Sequence, residues 1–287
     1  MDMPGWLLMT LVVLAILVIV IAIVTTTATL MFNQKAMKQV NQLFSDCPKS
    51  NSEIIRKKDL AGLPLPVQKW LERSHIIGKE KITSVRLKQK GLMRTKEGGP
   101  WMRAQAVQYF RADEPGFVWQ ADVKMAPLLH LSGLDNYQEG QGNMSIKVLS
   151  LLPVVNAKGP EMDFSTLLRY LAEMPWFPTA ALNSYIKWEP INDTSARATM
   201  SYRGVSASGV FAFSEQGDPI SFTAKRYKEI NGKYVLSDWG GVNKEFKEFN
   251  GIRIPSKSDI IWIEKTGNFN WYQCEISDIE YNKPELY

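Results

Sequence analysis

The sequence predicts an α+β, mainly β protein: a curled antiparallel sheet or half-open β-barrel enclosing an apolar helix, with an N-terminal transmembrane helix. Three observations predict it. From residue 79 almost to the end, apolar and polar residues alternate with period two in run after run, the pattern of half-buried antiparallel strands. Only one convincing helical stretch, at about 164–174, interrupts those runs. Residues 6–24, WLLMTLVVLAILVIVIAIV, contain no charge, and about 20 apolar residues suffice to span a bilayer core. Helices and strands do not alternate, which excludes a doubly wound parallel sheet.

The elements divide into a transmembrane anchor over 1–32, a juxtamembrane helical segment over 33–78 and an antiparallel β-rich domain over 79–287. Trp6 stands where an interfacial anchor belongs. The segment opens MDMPG, with Asp2 and no basic residue, unlike the basic start of a signal peptide. The small residues of TTTATLM keep cleavage open as an alternative. Lys35 and Lys38 follow the span and no basic side chain precedes it, which leans the main domain towards the cytoplasm by the positive-inside rule. The expected location is a single-pass bacterial inner or cytoplasmic membrane, with the side of the main domain left open. In KAMKQVNQLF, Met37, Val40 and Phe44 share a helical face. DCPKSNSEIIRKKD then reads as a loop and a short helix. LPLPVQKWLERS starts a helix on prolines, with Val67, Trp70 and Leu71 inward.

In the β-rich part, SVRLKQKG puts Val85, Leu87 and Gln89 on one side and Arg86, Lys88 and Lys90 on the other. GFVWQADVKM is the cleanest strand, with Phe117, Trp119, Ala121, Val123 and Met125 facing one way. Further runs from NMSIKVLSLLPV to 270–281, separated by turn signals such as Asn231-Gly232 and Asn250-Gly251, bring the expectation to roughly ten strands. So many twisted strands curl rather than lie flat. The helix has Asp163 as its expected N-cap and Pro175 as its stop.

Composition narrows function. A net charge of +5 over 287 residues is too diffuse for nucleic acid, and no nucleic-acid signature is present. Cys47 and Cys274 have no zinc, haem or redox spacing, and sequence leaves their pairing open. His75 and His130 are far apart, which disfavours histidine-based metal or triad chemistry. No cofactor and no metal site are expected. GVSASGV at 204–210 is an alternating strand and lacks the strand–turn–helix of a nucleophile elbow.

The blocks LPLPVQKWL, GFVWQADVKM, GLDNYQEGQG, LLRYLAEMPWFPTAAL, AKRY, DWGG and GIRIPSK together resemble an uncharacterised bacterial family of unknown function, often with an N-terminal membrane segment. The resemblance covers about residues 60–281 and implies no activity. A remoter likeness is to periplasmic lipoprotein carriers, which implies a half-open barrel with helices closing an apolar cavity. This chain departs from them in its anchor, its extra N-terminal helices and its longer sheet.

The candidate site lies around LLRYLAEMPWFPTAAL. Arg169 and Glu173 stand at i and i+4. In ISFTAKRY, Ile220, Phe222, Ala224 and Arg226 share one side, and an arginine continuing an apolar stripe needs an acceptor when buried. Glu173 is one candidate acceptor and Asp135 another. The expected arrangement is a clamp of Arg169, Glu173 and Arg226 holding the helix to the sheet, with the Pro-Trp-Phe-Pro corner capping the barrel mouth. The expected ligand-binding set is Arg169, Glu173, Trp176, Phe177, Arg226, Trp119 and Met125, with catalytic residues unassigned. The leading reading is a membrane-tethered protein binding a lipid or other apolar ligand, with the bilayer as its other partner. The alternatives are a membrane-associated hydrolase using Glu173 or Asp135, and a purely structural envelope protein. Oligomeric state is not legible.

Overall fold

The computed structural model describes residues 4–48 and 53–287; Asp2, and residues 49–52 of the expected loop, lie outside them. Helix α1 runs Gly5–Leu43 and α2 runs Leu65–Arg73. Strands β1 (Ser84–Met93), β2 (Met102–Arg111), β3 (Gly116–Ala126), β4 (Leu129–Gln138), β5 (Gln141–Val148) and β6 (Leu152–Lys158) follow. Helix α3 (Pro160–Glu173) comes next, with two 3-10 turns behind it. The chain finishes with β7 (Ile186–Asn192), β8 (Ser195–Tyr202), β9 (Val205–Phe213), β10 (Pro219–Ile230), β11 (Lys233–Phe249), β12 (Ile252–Glu264) and β13 (Gly267–Tyr281).

All 13 strands join one antiparallel sheet in the order β6-β5-β4-β3-β2-β1-β13-β12-β11-β10-β9-β8-β7. The sheet is curled and open, the fold class read from the sequence. Its two edges, β6 and β7, are consecutive in the chain and joined through α3, which therefore crosses the concave face.

The excess over ten strands has definite sources. NMSIKVLSLLPV is two strands, β5 and β6, turning at Leu149 and Ser150, both with positive φ. β2 and β4 were not distinguished by pattern. β2 mixes two alanines and Gln108 into its inward face, and β4, LHLSGLDNYQ, is polar.

The convex face is covered by the second half of α1. The helix passes residue 32 without a break, and Phe32, Ala36, Val40 and Leu43 pack with Tyr109, Val118 and Leu134. This explains why Val118, outward by alternation, is buried. Met37, expected inward, is exposed because the buried stripe runs one residue earlier on the helix. α2 buries Val67, Trp70 and Leu71 as expected, with Trp70 stacked on Phe211. Ile220 faces solvent because the β9–β10 ladder is irregular between Pro219 and Ser221.

α3 starts a turn earlier than expected, with Pro160 in its first turn behind Gly159 at φ 108°. Asp163 is no N-cap. Its carboxylate instead accepts the Gly142 backbone N–H at 2.7 Å, tying α3 to β5. That approach requires glycine: a Cβ at Gly142 would lie 2.1 Å from Thr166 Oγ1 and 2.7 Å from the Met162 carbonyl oxygen.

Gly142→Ala therefore pushes α3 off β5. The expected loss is about 1–3 kcal/mol, the usual cost of overpacking, read from urea melts. Because backbone as well as Thr166 is in the way, Gly142→Ala/Thr166→Ala recovers only part of it. An unchanged melt would mean that α3 is not seated on β5.

Candidate functional site

Between α3 and the concave face is a cavity of about 370 Å³. Its walls come from β3–β6 on one side, including Trp119, Val123, Ile146 and Val155, and from β10–β13 on the other, including Phe222 and Trp239. Trp176 lies on its floor. Four charged side chains from three elements converge on this apolar space: Asp135 of β4, Arg169 and Glu173 of α3, and Arg226 of β10.

Arg169 binds both carboxylates. Its Nη1 donates to Asp135 Oδ2 at 2.7 Å and its Nε to Glu173 Oε1 at 2.9 Å. Its guanidinium also lies over the rings of Trp119, at 4.9 Å, and Phe117, at 5.0 Å. Burial opposes charge on Arg169, yet the Glu173 and Asp135 carboxylates outweigh it and hold the guanidinium firmly protonated. Burial pushes Asp135 above the usual carboxylate range, against the pull of Arg169 and Arg226. The other Glu173 oxygen accepts Gln108 Nε2 at 2.7 Å. Gln108 Oε1 in turn accepts Gln89 Nε2 at 2.9 Å, and Gln89 Oε1 accepts Trp119 Nε1 at 2.9 Å. A hydrogen-bonded chain thus runs from α3 across β2 and β1 to the cavity wall.

Arg226 is different. It is 8% exposed and faces the same cavity. Its Nε is buried with no hydrogen-bond partner among the described residues. Its closest favourable neighbour is the face of Trp239, with the guanidinium carbon 4.8 Å from the ring centre. Trp239 Nε1 and Trp271 Nε1, also on cavity-lining residues, are likewise buried and unpartnered. Burial, and then repulsion from Arg169, push Arg226 down to about 10. It remains a cation at neutral pH, in an apolar space, without a contacting carboxylate.

The expected clamp is therefore rearranged. Arg169 and Glu173 do pair, but the second acceptor of Arg169 is Asp135, and Glu173 does not serve Arg226. Both carboxylates fall on the side of α3 that faces β4 and β2, so β10 brings its arginine to a place where they are already engaged. Of the Pro-Trp-Phe-Pro corner, Pro175 and Trp176 line the cavity. The Trp176 carbonyl accepts Tyr281 OH at 2.9 Å. Phe177 is wholly buried between Phe110 and Tyr170, at 4.7 and 5.2 Å between ring centres, and does not line the cavity. Trp119 lines it as expected. Met125 is 45% exposed near the end of β3, beyond Val123, and does not line the cavity. Residues unassigned by sequence are Gln89, Gln108, Trp239 and Trp271; the legible signal was Gln89 continuing an apolar stripe.

Of the carboxylates of the hydrolase alternative, Glu173 has both oxygens engaged, by Arg169 and Gln108, and Asp135 has Oδ2 engaged by Arg169. Cys47 and Cys274 are both buried and unbonded to each other. Burial raises the Cys274 thiol to about 12. His75 meets Glu248 and His130 lies near Asp122, well apart. Among the described residues no group of three potential metal ligands assembles.

The chain belongs to the family of unknown function DUF6544, whose model matches residues 53–274. No curated protein matches it. Among solved structures, it is similar to a LolA superfamily protein from Nitrosomonas europaea, with TM-score 0.41, 12% identity, and coverage of 75% of this chain and 92% of that one. A candidate outer membrane lipoprotein-sorting protein domain from Vibrio parahaemolyticus gives TM-score 0.40 at 9% identity, covering 69% of this chain and 85% of that one. A beta-barrel-like protein of domain of unknown function DUF1849 from Brucella abortus gives 0.30 at 8%, covering 70% and 98%. The remote architectural likeness to lipoprotein-carrier half-barrels agrees with these neighbours. The likenesses are distant, and the functional reading below rests on this chain's own side chains.

The two arginines should behave oppositely in urea melts. Arg169→Ala strands two buried carboxylates and costs about 3–5 kcal/mol. Combined with Asp135→Ala, the losses fall short of additive by about 0.5–3 kcal/mol, as for contacting residues. Arg226→Met removes a buried cation that has no contacting acceptor, and the domain becomes more stable by about 1–3 kcal/mol. A large loss on Arg226→Met would show that Arg226 is a structural clamp after all.

Proposed function

We propose that this chain is a single-pass membrane protein whose half-barrel holds an acyl-chain ligand, with an oxygen-bearing head of that ligand against Arg226. The observation that carries the reading is the buried, unpartnered Arg226 in a mainly apolar cavity. Desolvating a charge without a partner costs several kcal/mol. A fold retains it where something else supplies the acceptor, and strained or destabilising features concentrate at functional sites. The cavity, at about 370 Å³, falls within the range of about 300–1,000 Å³ typical of small-molecule sites.

The chemistry of the lining limits the ligand. Its body is apolar, because the walls are Trp, Phe, Val, Ile and Met side chains. Its head is an acceptor, because the unpartnered polar atoms on the lining residues Arg226, Trp239 and Trp271 are donors. Asp135, Arg169, Glu173 and Arg226 sum to zero, as do Lys228 and Glu229 of the lining, so a carboxylate, a phosphate or an ester carbonyl each satisfies Arg226. Tethering is supported by α1, of which Gly5–Leu43 includes a window long and apolar enough to cross a membrane, fully exposed in the isolated chain. A cleaved signal sequence would pass the same test, and N-terminal sequencing of the mature protein separates the two.

Binding assays with palmitate, methyl palmitate and hexadecane on the purified full chain test the site. Wild type binds all three, palmitate and methyl palmitate more tightly than hexadecane. Arg226→Met weakens palmitate about tenfold, equal to about 1.4 kcal/mol, and leaves hexadecane unchanged. Val155→Trp, which fills the cavity from an edge strand, weakens all three. Because Arg226 is cationic below about 10, palmitate affinity holds through neutral pH and falls as pH rises past that value, a fall missing in Arg226→Met. If none of the three ligands binds, or if Val155→Trp binds each as wild type does, the cavity is not a ligand site.

A further inference from the structure

We infer that the end of the half-barrel formed by the β3–β4 and β5–β6 turns rests in the headgroup layer of the bilayer that α1 crosses, so that the cavity opens onto lipid. This rests on the reading of α1 as a membrane span and goes beyond it by fixing which end of the sheet meets the membrane.

The direction of α1 on the convex face sets the orientation. At its C-terminal end, Leu43 lies against Gly116, where β3 begins: a Cβ there would stand 2.7 Å from Leu43 Cδ1. At the same end of the sheet, Gln138 Nε2 donates to the Gln39 carbonyl at 3.1 Å. Further along β3, Gln120 Nε2 donates to Asn33 Oδ1 at 2.7 Å. At the β5–β6 turn itself, Thr29 Oγ1 donates to Ser150 Oγ at 3.2 Å, and Ser150 bonds Ser132 at 2.7 Å. From Gln39 back to Thr29, α1 thus runs towards the β3–β4 and β5–β6 turns. The uncharged run over 6–24 leaves the domain past them. The helix is continuous, so no linker uncouples the domain from the span. At 1.5 Å per residue, Thr29 is only about 8 Å from the end of that run.

The two turns are built for an apolar medium. Leu128 is 96% exposed, Leu152 59% and Val154 60%, with Leu151 and Met125 also exposed beside them. Leu128 has φ 62°, a conformation in which glycine or asparagine is the cheaper residue. A fully exposed leucine there suits lipid better than water. Lys124 and Lys147 flank the two turns, as basic side chains do at an anionic surface. The opposite ends of the same strands carry Asp113, Glu114 and Glu139 instead.

The concave face has the same polarity. α3 and its corner close the acidic end: Tyr170 OH donates to the Arg111 carbonyl at 3.0 Å and Ile82 N–H to Thr179 Oγ1 at 2.9 Å. Val123, Leu131, Ile146 and Val155 continue the cavity lining towards the leucine-bearing turns, where no helix covers them.

Fluorescent probes on the full chain, reconstituted in vesicles of phosphatidylcholine and phosphatidylglycerol with brominated acyl chains, test this. Leu17→Cys, Leu128→Cys, Leu152→Cys and Glu114→Cys are labelled separately with an environment-sensitive dye. Cys47 and Cys274 are buried, and unsubstituted protein gives the background. The expected result is strong quenching at 17, and quenching at 128 and 152 at least threefold above that at 114. If 17 is quenched while 128 and 152 match 114, the inference is overturned and the tether stands. If 17 is not quenched, α1 is not in the bilayer and both fall, while ligand affinity of the cavity is unaffected. A probe at 128 that is blue-shifted yet unquenched by brominated lipid marks a protein partner or a second copy, and also overturns the inference.

Discussion

Arg169 is the constraint on which the interior of this protein depends. A guanidinium inside an apolar sheet must be neutralised or the fold loses several kcal/mol. Asp135 and Glu173 do this from two different elements, β4 and α3 itself. Fixing that fork fixes the height and rotation of α3 on the concave face. It also sets the position of the Gln108–Gln89 chain, which satisfies the remaining Glu173 oxygen. The consequence reaches β10: with both carboxylates taken, Arg226 has only the face of Trp239. The unpartnered arginine is left over from the paired one.

The same helix explains why the sheet stays open. β6 and β7 are consecutive in sequence but occupy opposite edges, so the connection between them must cross the curl. Because α3 makes that crossing inside, its bulk holds the two edges apart. The convex face is handled independently. There α1 covers β2, β3 and β4, which is why Tyr109, Val118 and Leu134 are buried on the side opposite Phe110, Phe117 and Trp119. These strands are buried on both faces, whereas the sheet further round has one wet face, visible in exposed Leu236 and Val242 on the side of β11 opposite buried Trp239.

How much of this the sequence discloses depends on range. Period-two alternation in GFVWQADVKM identified β3 and its inward face because the pattern is local. Gln89 and Arg226 stood out as polar residues continuing apolar stripes, and both are at the site. β4 was illegible because its Ser132, Asp135 and Asn136 read as a loop. They are tolerated in a buried strand only through partners far away in sequence or on the next strand: Ser150, Arg169 and Asn143. The choice of Asp135 over Arg226 as the second partner in the charge cluster had the same origin. Which carboxylate meets which arginine is decided by how seven intervening strand pairings curl β4 towards β10, and no local pattern encodes that. Phe177 went wrong at shorter range: adjacent residues between two prolines face opposite ways, one to the cavity and one to the core.

The position of Arg226 also gives a bound acyl ligand a direction. Arg226 feels Arg169, Asp135 and Glu173 electrostatically, so it belongs to the part of the cavity near α3, at the closed end. The apolar walls Val123, Ile146 and Val155 lie towards the uncovered end. A ligand satisfying both has its head deep and its tail towards the opening. For a lipid in a bilayer the head is the part already at the surface, so it is the part that meets the opening first. Head-first entry exchanges water around the head for Arg226 and the indole N–H groups. The tail meanwhile passes from the acyl layer into a lining of the same polarity, and little apolar surface is exposed on the way. Tail-first entry would bring the acyl chain through water and leave Arg226 unpaired. In the proposed function, the buried cation that weakens the empty fold is thus the feature that sets which end of a lipid goes in.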